Sequence, residues 1–369
     1  MAEPPARSPI ALCLAGGGVS GAFFELGAVA ALEAGLTGWK ARDAAVVVGT
    51  SCGAIVGAVV GFGGDPVEIY RALDAPGPHP LRIRNKDLSR FDWGRHLRGV
   101  AGVMKALGPA IVDQRRRRRF DLGDLAFDLH RILPSGVFSN RGVEVMIRRA
   151  AERASLRDAF EDLGMPLRVT ATDLNRGRRK VFGPGHDVSV PVSLAVRAST
   201  SIPYYFEPVR IGDDDYIDGQ IFDPTHLDLA VTEETRVVIA VSPLRPHLGE
   251  RTPDGDRRLG EEGAALVLDQ SARISAGVKD AASRKAFAEA HPSIPVHFIA
   301  PEAGDVLSLM TAAFRPSGLA GHWRAGFEAA ERWLEAHGAE TAGMLGESGI
   351  RPDPGGPAGV PNRGANPAG

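Results

Sequence analysis

Near the N-terminus, two short apolar runs each break into a glycine-rich turn, and this pairing narrows the folds open to the chain. Ile10-Ala-Leu-Cys-Leu14 runs into Gly16-Gly17-Gly18-Val19-Ser20-Gly21, and Val46-Val47-Val48 runs into Gly49-Thr50-Ser51-Cys52-Gly53. A continuous apolar run bounded by glycines reads as a strand buried on both faces. Between the two, Phe23 to Ala34 carries helix-forming residues and stops at Gly35, a C-cap residue, before a second strand over Ala45 to Val48. The resulting βαβ unit implies a parallel sheet with a right-handed crossover.

Further strands are expected over Pro166–Thr172, Lys180–Phe182, Glu207–Ile211, Arg236–Val241 and Ile294–Ile299. Helical patterns separate several of them, one opened by Ser155 with Asp158 three residues on in the manner of a capping box. The class is therefore α/β. With 369 residues and 44% hydrophobic content, one large domain over residues 10–345 is the simplest arrangement. Residues 1–9 read as a flexible N-terminus without the apolar stretch of an export signal, so cytoplasmic synthesis is expected. The apolar run Ala54 to Phe62 is too short to cross a bilayer and reads as a buried helix. Residues 346–369 are rich in glycine and proline and read as a disordered tail.

Residues 79–120 read as a basic lid or cap insertion. They hold twelve Lys and Arg against three Asp, and Leu97, Val100, Met104, Leu107 and Ile111 recur at helical spacing. Such a segment suits peripheral contact with an anionic membrane, each basic residue contributing about 1 kcal/mol near the surface; a solvated loop is the plainer alternative. The arginine run lacks the interleaved aromatics of a nucleic-acid platform, and the formal charge of −2 gives no global argument for one, so no nucleic acid is expected. Cys13 and Cys52 both lie in segments that read as buried, which fits a reduced compartment, and neither spacing suits a metal.

The chemistry centres on Gly49-Thr50-Ser51-Cys52-Gly53, a G-x-S-x-G motif at a strand-to-helix turn. Such a turn exposes the serine hydroxyl above the sheet edge, and the flanking Gly49 and Gly53 remove Cβ atoms that would clash. The alternative is a tight turn whose serine merely caps the next helix. Cys52 is a rival nucleophile by chemistry, but Ser51 holds the central position of the motif. The backbone N–H groups of Gly16, Gly17 and Gly18 suit an oxyanion hole. The same string matches a dinucleotide fingerprint, but the second strand ends without the carboxylate that would hold a ribose.

A nucleophilic serine needs a base. Asp218, in Tyr216-Ile217-Asp218-Gly219, is the leading candidate, although an Asp-Gly pair alone is most often only a turn. Used directly, a carboxylate needs desolvation and a short contact with the hydroxyl. His226 is the histidine nearest in sequence to that turn, and it reads as a surface loop residue.

In order and spacing, these blocks resemble the patatin-like phospholipases: the glycine triplet, G-x-S-x-G, and a downstream Asp-Gly turn. Ala195-Val196-Arg197-Ala198-Ser199-Thr200-Ser201-Ile202-Pro203, with Phe206, Pro208-Val209 and Tyr216-Ile217-Asp218-Gly219, is similar to the family's approach to its catalytic aspartate. The likeness runs from about Ile10 to Ala230 and more weakly to about His337. It implies a three-layer α/β/α sandwich with a mainly parallel central sheet. It also implies calcium-independent hydrolysis of acyl esters by a Ser–Asp dyad without histidine, with no cofactor and no metal. Carried over by position, Ser51 is the nucleophile, Asp218 the base, and Gly16, Gly17 and Gly18 the oxyanion hole. Ser20 stands where the family usually has arginine, Gln220 where it has a small residue, and Asp223 where asparagine is more usual.

The expected function is a serine lipid acyl hydrolase of the phospholipase A or lysophospholipase kind, acting on a lipid or other acyl ester. The alternatives are an acyltransferase using the same acyl-enzyme, or a weakly active or inactive membrane-binding homologue.

Overall fold

The computed structural model describes residues 7–74, 90–91, 135–249, 258–261, 263–311, 318–344 and 351–352. The expected basic insertion at 79–120 and the expected tail at 346–369 lie outside the described residues, apart from the two short strands at 90–91 and 351–352. The N-terminal half comprises β1 (Ile10–Leu14), α1 (Gly18–Gly35), β2 (Leu36–Thr37), β3 (Val47–Thr50), α2 (Cys52–Gly61), α3 (Pro66–Asp74), β4 (Arg90–Phe91), β5 (Gly136–Ser139) and α4 (Arg141–Arg153). There follow β6 (Leu167–Asp173), β7 (Arg178–Phe182), α5 (Val192–Ser199), β8 (Tyr204–Phe206), β9 (Val209–Ile211) and β10 (Asp214–Asp218). The chain continues through β11 (Val237–Val241), α6 (Ala264–Ala290), β12 (Val296–Ile299), α7 (Ala303–Thr311), α8 (Leu319–Met344) and β13 (Arg351–Pro352).

The main sheet has the order β12-β11-β1-β3-β6-β10-β9, with β7 also paired to β6. From β12 to β6 every pairing is parallel, while β7, β10 and β9 are antiparallel additions. The expected continuous apolar strands follow from burial on both faces. Ile10, Leu12 and Leu14 pack into the larger core with α1 and α2, whereas Ala11 and Cys13 pack on the opposite face with Leu227, Leu229 and Phe287. Helices thus cover both faces of the sheet, as the α/β/α reading required.

Helix α1 lies against α8 at a backbone distance that only glycine permits. A methyl group on Gly27 would collide with the Trp323 carbonyl, and one on Gly326 with the Phe24 carbonyl. Among the described residues no single helix is long and apolar enough to cross a membrane. The apolar run after Ser51 is instead α2, packed into the core.

Two local expectations fail. Ser155 opens no helix: it has φ 57°, and the Leu156 N–H bonds back to the Ala151 carbonyl at 3.0 Å, so it closes α4. Asp158 caps a different helix, accepting the Ser193 N–H at 2.9 Å and the Ser193 hydroxyl at 2.5 Å in the first turn of α5. The second failure is His226, which is wholly buried rather than on the surface.

Candidate active site

One edge of β6 carries two strands end to end. β3 pairs with its first half, Thr50 opposite Thr170, and β10 with its second half, Asp218 opposite Ala171. Strand β7 runs along the other edge past both, from Val169 to Asp173. Because β3 is parallel to β6 and β10 antiparallel, their C-terminal ends face each other. The residue following β3 is Ser51 and the last of β10 is Asp218. Register alone therefore brings them together, and the Thr50 and Thr170 hydroxyls, 2.9 Å apart, brace the junction.

Ser51 has φ 54° and ψ −120°, a conformation that side chains rarely adopt and that lifts its hydroxyl out of the strand-to-helix turn. Its Oγ donates to Asp218 Oδ2 at 2.5 Å. The other carboxylate oxygen, Oδ1, accepts the Gln220 N–H at 2.9 Å. Both residues are essentially excluded from solvent. Burial raises the Asp218 pKa to about 7, against the opposing pull of the Ser51 and Gln220 hydrogen bonds. The carboxyl is thus poised to gain or lose a proton near neutrality.

Segment Ala195–Pro203 supports both partners, a role that sequence reading did not assign to individual residues. The Ser51 N–H donates to Ser199 Oγ at 2.8 Å, and the Asp218 N–H to the Ser201 carbonyl at 3.0 Å. Buried Asn140 ties this segment to α4 by donating to the Arg197 carbonyl at 2.8 Å and Ser201 Oγ at 3.0 Å. No sequence signal marked Asn140; its spacing from the serines is long, and a lone asparagine before a helix reads as a cap.

The glycine loop sits beside Ser51. Gly18 begins α1 at φ 66°, the left-handed region that favours glycine. Among the described residues no protein hydrogen bond is donated by the N–H groups of Gly16, Gly17 or Gly18. The Ala15 carbonyl accepts the Gly53 N–H at 3.1 Å, joining this loop to the turn at Ser51. A methyl group on Gly53 would collide with the Leu14 carbonyl, and one on Gly49 would press on the Ala54 backbone. Helices α1 and α2 both begin here, so two positive dipole ends converge on the Ser51 hydroxyl's surroundings.

The remaining candidates fall elsewhere. Cys52 points into the core: its thiol donates to the Ala15 carbonyl at 3.5 Å and lies 3.8 Å from Glu25 Oε2. Burial and then the neighbouring carboxyls push its pKa well above the ordinary value, so it stays a thiol. His226 approaches the Gly219 carbonyl through Nε2 at 3.4 Å and Arg179 through Nδ1 at 3.3 Å. Arginine only donates, so Nδ1 accepts and Nε2 carries the proton given to Gly219. Burial lowers its pKa to about 4, keeping it neutral. It braces the Asp218–Gly219 turn from behind. Ser20, also fully buried, donates to the Leu309 carbonyl at 2.8 Å and ties α1 to α7. Among the described residues no cluster of His, Cys, Asp and Glu is arranged to hold a metal.

A serine at a strained strand-to-helix turn, bonded to a buried carboxyl beside a glycine loop, defines a class of α/β proteins. The patatin-like phospholipase family model matches residues 12–231, and the chain belongs to that family. The uncharacterized protein YqhO of Bacillus subtilis (strain 168) is 32% identical over 143 residues, which cover 36% of this chain and 48% of that protein. The match thus spans about half the length of that relative. Among solved structures, VipD from Legionella pneumophila is similar with 14% identity and a TM-score of 0.41, over 90% of this chain and 67% of VipD. ExoU of the Pseudomonas aeruginosa type III secretion system, solved with SpcU, is similar with 14% identity and a TM-score of 0.31, over 89% of this chain and 54% of that one.

Proposed function

We propose that this chain is a serine lipid acyl hydrolase that cleaves carboxylic esters through an acyl-enzyme on Ser51. The single observation that carries this reading is the 2.5 Å hydrogen bond from Ser51 Oγ to a buried carboxyl whose pKa is raised to about 7. In the ionised form Asp218 takes the hydroxyl proton as Ser51 Oγ attacks the ester carbonyl carbon. The negative charge developing on the carbonyl oxygen is met by the N–H groups of Gly16, Gly17 and Gly18 and by the start of α1. The proton passes to the leaving alcohol as the tetrahedral intermediate collapses to the acyl-enzyme. Water, deprotonated by Asp218, then releases the free fatty acid and restores Ser51. No metal or cofactor takes part in this scheme, and family membership favours a lipid as the acyl donor.

A serine-directed fluorophosphonate tests the assignment. The wild type is labelled on the peptide containing Ser51, and Ser51→Ala is not. Labelling that survives Ser51→Ala, or ester turnover that equals the wild type in that variant, rejects the reading.

A further inference from the structure

The residue two positions past Asp218 enters the site by a route that the proposed chemistry does not use. The Gln220 backbone N–H holds Asp218 Oδ1, but its side chain turns back over the glycine loop. A methyl group on Gly16 would collide with Gln220 Oε1 and would lie 3.3 Å from Ser51 Cβ. The amide therefore fills the space flanked by Gly16 on one side and Ser51 on the other. Among the described residues nothing hydrogen-bonds to that amide, and Gln220 is half-buried. The group resting there is itself a carbonyl, the same group that a scissile ester presents. It lies over a loop whose N–H groups donate no hydrogen bond among the described residues.

We propose that Gln220 is a specificity-determining gate whose side-chain carbonyl occupies the substrate carbonyl's place over Gly16. An ester enters when the Gln220 side chain rotates away, a motion that no hydrogen bond from the described residues to its amide opposes. The inference rests on the reading of Ser51 as the nucleophile and adds to it a control on which esters reach that nucleophile and how often. A gate of this kind lowers apparent affinity by the fraction of time it stands open. It acts on entry and leaves the bond-making step unchanged, so its removal lowers KM and leaves kcat in place. A purely structural Gln220 would do the reverse, because loosening Asp218 lowers kcat.

The experiment uses the full chain and measures the rate of fluorophosphonate labelling at Ser51 together with KM and kcat for a short-chain nitrophenyl ester. Gln220→Ala and Gln220→Ser remove the plug and keep the backbone N–H that holds Asp218; Gln220→Met retains the bulk. Either truncated variant is expected to label faster than the wild type, about tenfold if the gate is open a tenth of the time, with KM reduced by a similar factor. Gln220→Met is expected to stay near the wild-type rate. If the wild type labels at Ser51 and neither truncation accelerates it, the gate is overturned and the hydrolase reading stands. If kcat falls in both truncations with KM unchanged, the side chain is structural and the gate is again overturned. Absence of Ser51 labelling in every variant removes the nucleophile reading and the gate with it.

Discussion

Gly53 and Ala15 are joined by a 3.1 Å hydrogen bond from the Gly53 N–H to the Ala15 carbonyl, which ties the loop after β1 to the turn after β3. A side chain at Gly53 would strike the Leu14 carbonyl and push these two turns apart. Gly53→Ala is therefore expected to reduce ester turnover about 100-fold through misplacement of Ser51 relative to the glycine loop. The accompanying loss of stability is about 1–3 kcal/mol. Kinetics beside urea denaturation separate the two, and a variant of wild-type activity would deny the coupling.

In the proposed chemistry Asp218 sets the pH dependence. Its folded pKa is about 7, and the proposed chemistry needs the ionised form. Turnover is expected to rise with pH through about 7 and to level off above it. A profile flat from pH 5 to pH 8 would be incompatible with Asp218 as the base.

The same shift costs stability. An unfolded aspartate ionises near ~3.9, so between about pH 4 and pH 7 the unfolded chain gives up a proton that the folded chain keeps. Stability therefore falls as pH rises across this window, and the penalty is complete above pH 7, at about 4 kcal/mol. Asp218→Asn, which cannot ionise, is expected to melt above the wild type at pH 8, with the margin closing toward pH 4. Scanning calorimetry at several pH values reads the difference directly.

His226 contributes with the opposite sign. Its folded pKa is lowered to about 4, while an unfolded histidine titrates near ~6.5. The unfolded chain takes up the proton first as pH falls, so the stability supplied by neutral His226 is present above about 6.5 and drains away toward pH 4. His226→Ala removes the donor to Gly219 and leaves a cavity, costing about 2–4 kcal/mol at pH 7. That cost is expected to shrink at pH 4.5. Equal costs at both values would mean that His226 is not held neutral in the fold.

Cys52, although adjacent to Ser51, is expected to be inert. Its thiol is buried against Ala15 and Glu25 with a raised pKa. Treatment with N-ethylmaleimide should leave both fluorophosphonate labelling and ester turnover intact. Inhibition that Cys52→Ala abolishes would return Cys52 to consideration.

Much of this arrangement was readable in the residues. Ile10–Leu14 and Val46–Val48 announced buried parallel strands because every position of such strands meets a core, and the glycines at their ends marked the turns. Asp218-Gly219 was legible as a turn, but its place opposite Ser51 was not, since the strand that β10 pairs with, β6, lies far away in sequence. His226 misled because a histidine in Pro224-Thr225-His226 looks like a polar loop; it is wholly buried against the Gly219 carbonyl and Arg179, tertiary neighbours that no local pattern reports. Ser155 misled because the same serine-to-aspartate spacing serves a helix start or a helix end, depending on a backbone angle that sequence does not fix. The support from Ser199 and Asn140, and the return of the Gln220 side chain over Gly16, depend on tertiary packing alone.

The end-to-end meeting of β3 and β10 on one edge of β6 has a consequence for how such a protein comes into being. During synthesis, the serine emerges well before β6, and the aspartate only afterwards. Neither can find the other until β6 has docked on β3 and the chain has folded back through β10. Pairings of this long range form late, after the cost of loop closure has been met. A nascent or partly unfolded chain thus carries the Ser51 hydroxyl without Asp218 beside it, and the topology of the sheet itself withholds the pair until folding is complete.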